Sequence, residues 1–452
     1  MKWLLAFAAT LVVVVPTIAL SSGASTDWGR FGYDTARHNA SPDTTITAQN
    51  VAKLVRLQVH LDGTVDSSPI YVGGKFVVTT TYGRTEALTP TGKVLWRFTP
   101  PAYSRLAGSA QITNSTPVES TDGSAVYASA SDGRVRKLRL SDGKVLWTTA
   151  ITRDPTHEKI TSSLNVSRGL VIATTGGYIG DAPPYQGHVV TMAESNGKIA
   201  HVWNSLCSDR HTLIVPRTCA SSDSAIWSRN GAGVDPANGT LVVATGNAPW
   251  NGSTDWGDSV IVLSSDAAKM LRHWTPVDQQ HLNETDADLG STSPALLDGG
   301  YAVQGGKDAK LRLLQLHTLP GVNTKTGGEL QTVPTPGGSG LFSEPAVWKG
   351  KWVFVATDGG TAAWLLKGGR LHAVWSNGNG GTSPVIAGNL LYIAGSGSVR
   401  VYVPTSGKQV ATLPSGAVHW QSPIVVHGLV AMPEGNANDH ATTGVLDIYS
   451  LP

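Results

Sequence analysis

The string Gly92-Lys93-Val94-Leu95-Trp96 recurs unchanged as Gly143-Lys144-Val145-Leu146-Trp147. Each copy consists of a glycine turn followed by a short apolar run that ends in tryptophan. Around these strings, segments with the alternating pattern of β-strands repeat with a period of roughly 40–60 residues. Such a period is typical of a β-propeller, in which each repeat forms one blade.

Eight copies of the repeat can be counted. Six of them start with a small or polar residue and a proline, which a strand tolerates at its first position because no ladder donor is lost there. Two further copies start near Ser163 and near Ile226 without a proline. The sequence therefore predicts an all-β fold, an eight-bladed propeller of four-stranded antiparallel blades. The six prolines are Pro69, Pro117, Pro294, Pro345, Pro384 and Pro423.

The two ends of the repeat region predict how the ring closes. The last repeat ends at Gly444–Tyr449 with three strands, and Leu54–Leu61 is a strand with no earlier strands of its own. Pairing these two segments completes the eighth blade and leaves no exposed sheet edge. Tryptophans at matching places near the ends of five repeats are predicted to pack between neighbouring blades rather than to bind a ligand. They are Trp96, Trp147, Trp203, Trp274 and Trp375.

The N-terminus has the layout of a secretory signal peptide. Lys2 precedes an apolar stretch, Leu4–Leu20, and the small residues Ser21–Ser25 follow it. We therefore predict a signal peptide over residues 1–25, a single propeller domain over 26–452, and a secreted, extracellular or periplasmic protein. An uncleaved membrane anchor is the alternative, because the stretch is long enough to span. After cleavage of the signal peptide, no membrane insertion is expected. The protein is predicted to be a monomer.

Charge and cysteine content narrow the range of functions. The formal net charge is +2 with 15% charged residues, and no basic run is present. Strong nucleic-acid binding needs a concentrated positive face, so this function is not expected. Cys207 and Cys219 are the two cysteines, and in an exported protein they predict a disulfide.

Two motifs resemble the pyrroloquinoline-quinone (PQQ) dehydrogenases. The segment Trp28-Gly29-Arg30-Phe31-Gly32-Tyr33-Asp34 is similar to the opening of these enzymes, and the glycine, alanine-leucine, glycine-lysine, leucine-tryptophan pattern over residues 83–96 is similar to their repeat. The resemblance covers nearly the whole mature chain and implies the quinoprotein propeller fold. The same repeat occurs in non-catalytic relatives, such as the propeller scaffold of outer-membrane assembly, so the resemblance alone does not imply an enzyme.

The resemblance also implies site residues. The Trp227 side chain would form an aromatic floor beneath the planar quinone, and Asn247 would contribute an oxygen to a calcium ion. Asp258 would be the general base and a calcium contact, with Asp255 an equal claimant for the catalytic role. The Lys307 ammonium would hydrogen-bond the quinone oxygens. The turn at Asp286-Ala287-Asp288 resembles an aspartate-rich turn of the family.

The sequence departs from the enzymes in several places. Thr175–Gly180 has glycine where the enzymes carry a calcium-binding glutamate, and the nearest acid is Asp181. The adjacent cysteine pair that lies over the quinone in many members is missing, and so are the long insertions around the substrate funnel. A calcium site here would rest on Asn247, Asp258 and Asp181.

Each candidate residue also has a structural interpretation. Trp227 can pack between blades, and Lys307 can close a hairpin. Asn247 can be a turn residue, and Asp255 and Asp258 can belong to a solvated loop. Three functions stay open: a binding or degenerate quinoprotein-like propeller that takes a small molecule, glycan or protein; a PQQ- and calcium-dependent dehydrogenase of an alcohol or sugar; and a protein-assembly scaffold. The enzyme hypothesis predicts that Trp227, Asn247, an aspartate and Lys307 meet at one mouth of the central channel.

Overall fold

The computed structural model describes residues 27–180 and 182–452. Over these residues the chain forms eight antiparallel sheets, each built on four strands, arranged as the blades of a propeller. The predicted fold is therefore confirmed. The predicted signal peptide over 1–25 and the candidate ligand Asp181 lie outside the described residues.

Blades 1 to 4 follow one another along the chain, each from its innermost strand outward. Blade 1 consists of Ile70–Val72, Lys75–Thr79, Thr85–Leu88 and Val94–Phe98. Blade 2 consists of Val118–Glu119, Ala125–Ala130, Arg134–Arg139 and Val145–Ala150. Blade 3 consists of Asn165–Ser167, Leu170–Gly177, His188–Ala193 and Ile199–Asn204, and Glu158–Ile160 pairs with the end of its second strand. Blade 4 consists of Gly233–Val234, Leu241–Ala244, Val260–Leu263 and Met270–Trp274.

Blades 5 to 8 have the same order. Blade 5 consists of Ala295–Leu297, Tyr301–Gln304, Lys310–Gln315 and Gln331–Pro334. Blade 6 consists of Ala346–Trp348, Trp352–Thr357, Gly360–Lys367 and Arg370–Asn377. Blade 7 consists of Thr382–Ala387, Leu390–Gly395, Ser398–Tyr402 and Gln409–Pro414, and Ala40–Ser41 adds a short parallel strand to it. Blade 8 consists of Ile424–Val426, Leu429–Glu434, Gly444–Ser450 and Val55–Leu61.

Short helices lie between the strands. Two are α-helices, Tyr103–Leu106 and Gln279–Glu284. Seven more are 3₁₀ turns over the described residues: Val51–Lys53, Pro216–Thr218, Leu289–Ser291, Asp298–Gly300, Leu316–Thr318, Pro336–Gly338 and Ala437–Asp439. No helix within residues 27–180 and 182–452 is both long enough and apolar enough to cross a membrane.

The ring closes between the two ends of the repeat region, as predicted. Val55–Leu61 pairs antiparallel with Gly444–Ser450 over seven residues, from Val55 opposite Ser450 to Leu61 opposite Gly444. This pairing supplies the outermost strand of blade 8 and joins the start of the repeat region to its end. It removes the edge that an open sheet would leave exposed.

The repeated glycine-to-tryptophan string is explained by contacts between neighbouring blades. The Trp96 indole packs against blade 2 and donates its N–H to the Leu140 carbonyl at 2.8 Å. A Cβ atom on Gly143 would lie 2.5 Å from the Trp96 ring, and Gly143 also has a φ of 72°, so a side chain is excluded there for two reasons. The glycine of one repeat therefore makes room for the tryptophan of the repeat before it, which confirms the predicted packing role.

One end of the channel is covered by the segment Trp28–Ser41. Its backbone carbonyl groups accept hydrogen bonds from innermost strands of several blades. Trp28 accepts from the Tyr71 N–H, Thr35 from the Val234 N–H and His38 from the Val347 N–H. The buried Arg37 guanidinium extends from this segment into the channel. It donates to the carbonyl oxygens of Phe31, Ser163 and Leu164 at 2.6, 3.1 and 2.9 Å.

Candidate functional site

A cavity of ≈ 190 Å³ lies at the opposite mouth of the channel. Its walls come from residues that precede the innermost strands of several blades, among them Asn114, Trp227, Phe342 and Trp420. Because the Trp28–Ser41 segment contacts the other ends of these strands, the cavity and that segment lie at opposite ends of the channel. The remaining lining residues used below are Lys159, Arg229, Asn247, Asp288, Lys307 and His419.

Three aromatic side chains form one side of this cavity. The Phe342 and Trp420 rings are stacked, with centroids 5.3 Å apart and planes within 6° of parallel. The Trp227 ring lies 5.8 Å from Trp420 and is tilted by 47°. Trp227 therefore faces the cavity, whereas the outer-strand tryptophans pack between blades. A flat aromatic ligand would find ring faces here.

Lys307 supplies a positive charge beside Trp227. Its Nζ lies 5.6 Å from the centre of the Trp227 ring, 2.7 Å from Asp288 Oδ2 and 2.8 Å from Asp286 Oδ1. Burial alone would lower the pKa of Lys307, but the two carboxylates outweigh it and raise the pKa above its ordinary value. The ammonium group is therefore charged at neutral pH and held in place.

Among the described residues, Asp288 is the carboxylate that lines the cavity. Its Oδ1 accepts the backbone N–H of Asn247 at 2.5 Å. Gly246 permits this approach, since a Cβ atom there would lie 2.6 Å from the same oxygen. Burial raises the pKa of Asp288, while Lys307 opposes the shift. Gly246 and Asn247 follow a strand of blade 4, whereas Asp288 and Lys307 precede strands of blade 5. The packing of these two blades therefore sets the positions of the four residues.

The structure places Asp258 and Asp255 away from the lining. Asp258 is fully buried, and its Oδ1 accepts the Leu289 N–H at 3.1 Å, next in the chain to Asp288. Burial, and then the neighbouring Asp288 charge, raise the pKa of Asp258 well above its ordinary value. Asp255 lies in the loop between the second and third strands of blade 4. It accepts the Asn251 side-chain amide at 2.7 Å and the Cys207 N–H at 3.2 Å, so it contacts the loop that carries the disulfide.

The predicted disulfide between Cys207 and Cys219 is present. It joins the loop after blade 3 and does not line the cavity. It therefore holds a loop rather than a ligand, and it fits a protein that folds in an oxidising compartment.

The residues present do not by themselves complete a calcium site. Asn247 and Asp288 provide oxygen atoms at the cavity, but the second Asp288 oxygen is paired with Lys307. Calcium takes six to eight oxygen ligands. Over the described residues, no three His, Cys, Asp or Glu side chains are grouped to hold a metal ion. The metal-binding roles of Asn247, Asp258 and Asp181 stay predictions.

The sequence did not single out Arg229, His419 or Trp420. The Arg229 guanidinium is buried, lies 3.3 Å from Asp66 Oδ2, and sits 5.2 Å from the Trp420 ring centre. His419 contacts the same carboxylate oxygen at 2.9 Å. No repeat pattern marks these residues, because Arg229 comes from one irregular segment and the adjacent His419 and Trp420 come from another. Their signal in the sequence was limited to an aromatic or charged residue just before a blade start.

Comparison with known proteins finds similar chains among quinone alcohol dehydrogenases and a partial match to the BamB family model. A family model described as outer membrane protein assembly factor BamB matches residues 40–242. Alcohol dehydrogenase (quinone), dehydrogenase subunit, of Gluconobacter oxydans (strain 621H) is 24% identical over 295 residues, which cover 56% of this chain and 38% of the relative. The corresponding subunit of Komagataeibacter europaeus is 23% identical over 295 residues. The matched region spans about two fifths of the length of these curated relatives.

Solved structures share the fold. The quinohemoprotein alcohol dehydrogenase of Comamonas testosteroni superposes with a TM-score of 0.72 at 16% identity, covering 94% of this chain and 80% of that one. A europium-containing methanol dehydrogenase superposes with a TM-score of 0.70 at 16% identity, covering 94% of this chain and 98% of that one. BamB from Moraxella catarrhalis superposes with a TM-score of 0.57 at 12% identity, covering 88% of this chain and 99% of that one.

The protein is an eight-bladed propeller, and a cavity lined by aromatic and charged side chains lies at one mouth of its channel. By its repeat pattern and its sequence matches, this chain is similar to the PQQ-like β-propellers.

Proposed function

We propose that this protein binds a flat aromatic molecule bearing carboxylates, of the PQQ class, in the cavity at the channel mouth. The observation that supports this most is the meeting of Trp227 and Lys307, with the Lys307 ammonium 5.6 Å from the ring centre. An aromatic face and a held cation are the two elements that recognise a planar anion.

PQQ fits the character of this cavity. It is a planar tricyclic quinone with three carboxylate groups, so it offers ring faces to Trp227, Phe342 and Trp420. Lys159, Arg229 and Lys307 line the same space and provide positive charge for the carboxylates. When bound, such a group supplies a two-electron acceptor. The protein's own residues would bind and orient it and exclude water from its face.

The test is a titration of the purified protein with PQQ, followed by tryptophan fluorescence, with and without Ca²⁺. We expect saturable binding that Trp227→Ala weakens about tenfold or more, the loss of roughly 1.4 kcal/mol. Trp227→Phe should retain part of the affinity, because it keeps a ring face. Trp348→Ala is the matched control, since Trp348 is half-buried on blade 6 outside the cavity. Equal affinity of the wild type and Trp227→Ala would contradict the proposal.

A second candidate is a PQQ-dependent dehydrogenase of an alcohol or sugar. It is favoured by the presence of Asn247, Asp288 and Lys307 in one cavity, and by the curated relatives, which are quinone alcohol dehydrogenases. The experiment is a dye-reduction assay of the PQQ-loaded protein with a panel of primary alcohols and sugars. Turnover that Asp288→Asn removes would support this candidate. Tight PQQ binding without turnover would leave the binding function alone.

A further inference from the structure

A histidine in the cavity wall is held by a buried carboxylate. His419 Nδ1 lies 2.9 Å from Asp66 Oδ2, and the Asp66 side chain is completely buried. The same oxygen accepts the Asn114 side-chain amide at 2.9 Å and the Ala437 N–H at 3.1 Å. Asp66 is thus fixed from three sides, and it fixes one edge of the His419 ring.

The charge of Asp66 decides which nitrogen of His419 carries a proton. Burial opposes ionisation of Asp66, but the Arg229 guanidinium and the hydrogen bond from His419 outweigh it and lower the pKa of Asp66. An ionised carboxylate can only accept hydrogen bonds, so Nδ1 of His419 carries the proton that it donates. In the neutral ring, Nε2 then bears the free lone pair.

Nε2 is the nitrogen that remains for a ligand. No hydrogen bond among residues 27–180 and 182–452 uses it, whereas His419 lines the cavity. The ring is also held flat against Trp420, with centroids 3.9 Å apart and planes 25° from parallel. A histidine with one nitrogen anchored, its face packed and the other nitrogen free has a fixed direction of contact.

We propose that His419, held by Asp66, is the proton-exchanging contact of the cavity: Nε2 takes up one proton from water as a carboxylate-bearing aromatic ligand binds, and donates it in a hydrogen bond to that carboxylate. This inference rests on the proposed function for the class of ligand. No oxidant or reductant is involved: an N–H bond forms at Nε2, an O–H bond of water breaks, and the buffer acid neutralises the hydroxide that remains. Asp66 is a positioning residue, since it acts through the imidazole.

Other charges around His419 set the balance of this step. The ligand carboxylate favours the protonated ring, and so does Asp66, whereas the Arg229 guanidinium opposes it. Further charged groups lie on the walls of this cavity and of a second cavity on the other side of Trp420, and both signs are represented. They are Lys159, Asp288, Lys307, Asp358 and Arg400.

The experiment is isothermal titration calorimetry in two buffers of different ionisation enthalpy, which counts the protons taken up per ligand bound. The probes are PQQ and pyridine-2,4-dicarboxylate, a planar dicarboxylate that is not a quinone. Mildly alkaline pH is used, where an ordinary imidazole is largely neutral. We expect uptake approaching one proton per ligand in the wild type.

Variants separate His419 from the rest of the cavity. His419→Gln should still bind both probes, with the proton uptake lost and the affinity reduced several-fold. Asp66→Asn should reduce the proton uptake, although the His419 side chain and its Nε2 remain. If Asp66→Asn does not fold, His419→Gln still tests the inference. His281→Gln, on an exposed helix outside the cavity, should behave as the wild type.

The possible outcomes distinguish the role of His419 from the proposed function. Equal proton uptake in the wild type and His419→Gln overturns the inference and leaves the proposed function standing. Binding of the dicarboxylate with uptake, but no binding of PQQ, supports the role of His419 and contradicts a quinone ligand. Absence of binding by both probes overturns both proposals.

Discussion

The Lys307 ammonium nitrogen lies 2.7 Å from Asp288 Oδ2 at the mouth of the channel. Asp288 precedes the first strand of blade 5, whereas Lys307 precedes its third strand. This ion pair holds the cation against the face of Trp227. It also occupies one oxygen of the carboxylate that lines the cavity. The cavity is therefore organised around an internal cation.

Lys307→Ala should weaken PQQ binding about tenfold or more, because it removes the held charge that faces the ligand. Lys307→Arg should retain part of the affinity. Lys310→Ala provides the control, since Lys310 pairs with Asp278 at 2.8 Å and does not line the cavity. The measurement is the PQQ fluorescence titration, and an unchanged affinity in Lys307→Ala would show that this cation does not contact the ligand.

Glu344 should give the protein a specific dependence of stability on pH. Most blade starts have a small hydroxyl residue where blade 6 has Glu344, which is fully buried and accepts the Asn230 and Ser293 N–H groups at 3.2 Å. Burial raises the pKa of Glu344 from 4.5 to about 8. The folded state then keeps a proton that the unfolded state releases. Stability from this group is present below pH 4.5 and is lost as pH rises towards 8.

Glu344→Gln should remove this contribution, which reaches about 1.4 kcal/mol per pH unit within that window. The free energy of unfolding is measured by denaturant titration at several pH values for both proteins. The variant loses some hydrogen-bond energy at every pH, so the difference in slope is the quantity compared. Glu284→Gln changes an exposed acid and should leave the slope as it is. Parallel curves for the wild type and Glu344→Gln would contradict the buried, protonated state.

Arg37→Ala should lower the free energy of unfolding by at least about 3 kcal/mol, because three buried carbonyl oxygens lose their donor at roughly 1–3 kcal/mol each. Arg37→Lys should recover only part, since an ammonium cannot reproduce the planar fork of a guanidinium. The measurement is denaturant unfolding. Arg168→Ala removes an exposed arginine bonded to one carbonyl and should cost far less. Equal stabilities for Arg37→Ala and Arg168→Ala would show that the channel segment is not held by Arg37.

The fold was predictable because its signals are periodic and local. The glycine of each Gly-Lys-Val-Leu-Trp string has a turn conformation that any other residue would strain, and its tryptophan must find a neighbouring blade to be buried. The predicted pairing of Leu54–Leu61 with the C-terminal strand followed from a count of strands. The disulfide followed from two cysteines in a chain for which the N-terminal sequence predicts export.

The site was predictable only in part. The resemblance named Trp227, Asn247 and Lys307, and the structure brings all three to one cavity. It assigned the catalytic role to Asp258 or Asp255, but among the described residues the carboxylate that lines the cavity is Asp288, from the aspartate-rich turn, with Asp258 buried behind it. Sequence order cannot distinguish these aspartates, because each lies in a polar connection between strands.

The sequence by itself determined the propeller, its eight blades and its closure, since backbone pairing and burial of apolar faces repeat from blade to blade. Only the tertiary structure decided which side chains face one another at the channel mouth. Asp66, Arg229 and His419 come from irregular segments far apart in the chain, and their contacts arise because ring closure brings the starts of all eight blades to one axis. Contacts across that axis have no period in the sequence.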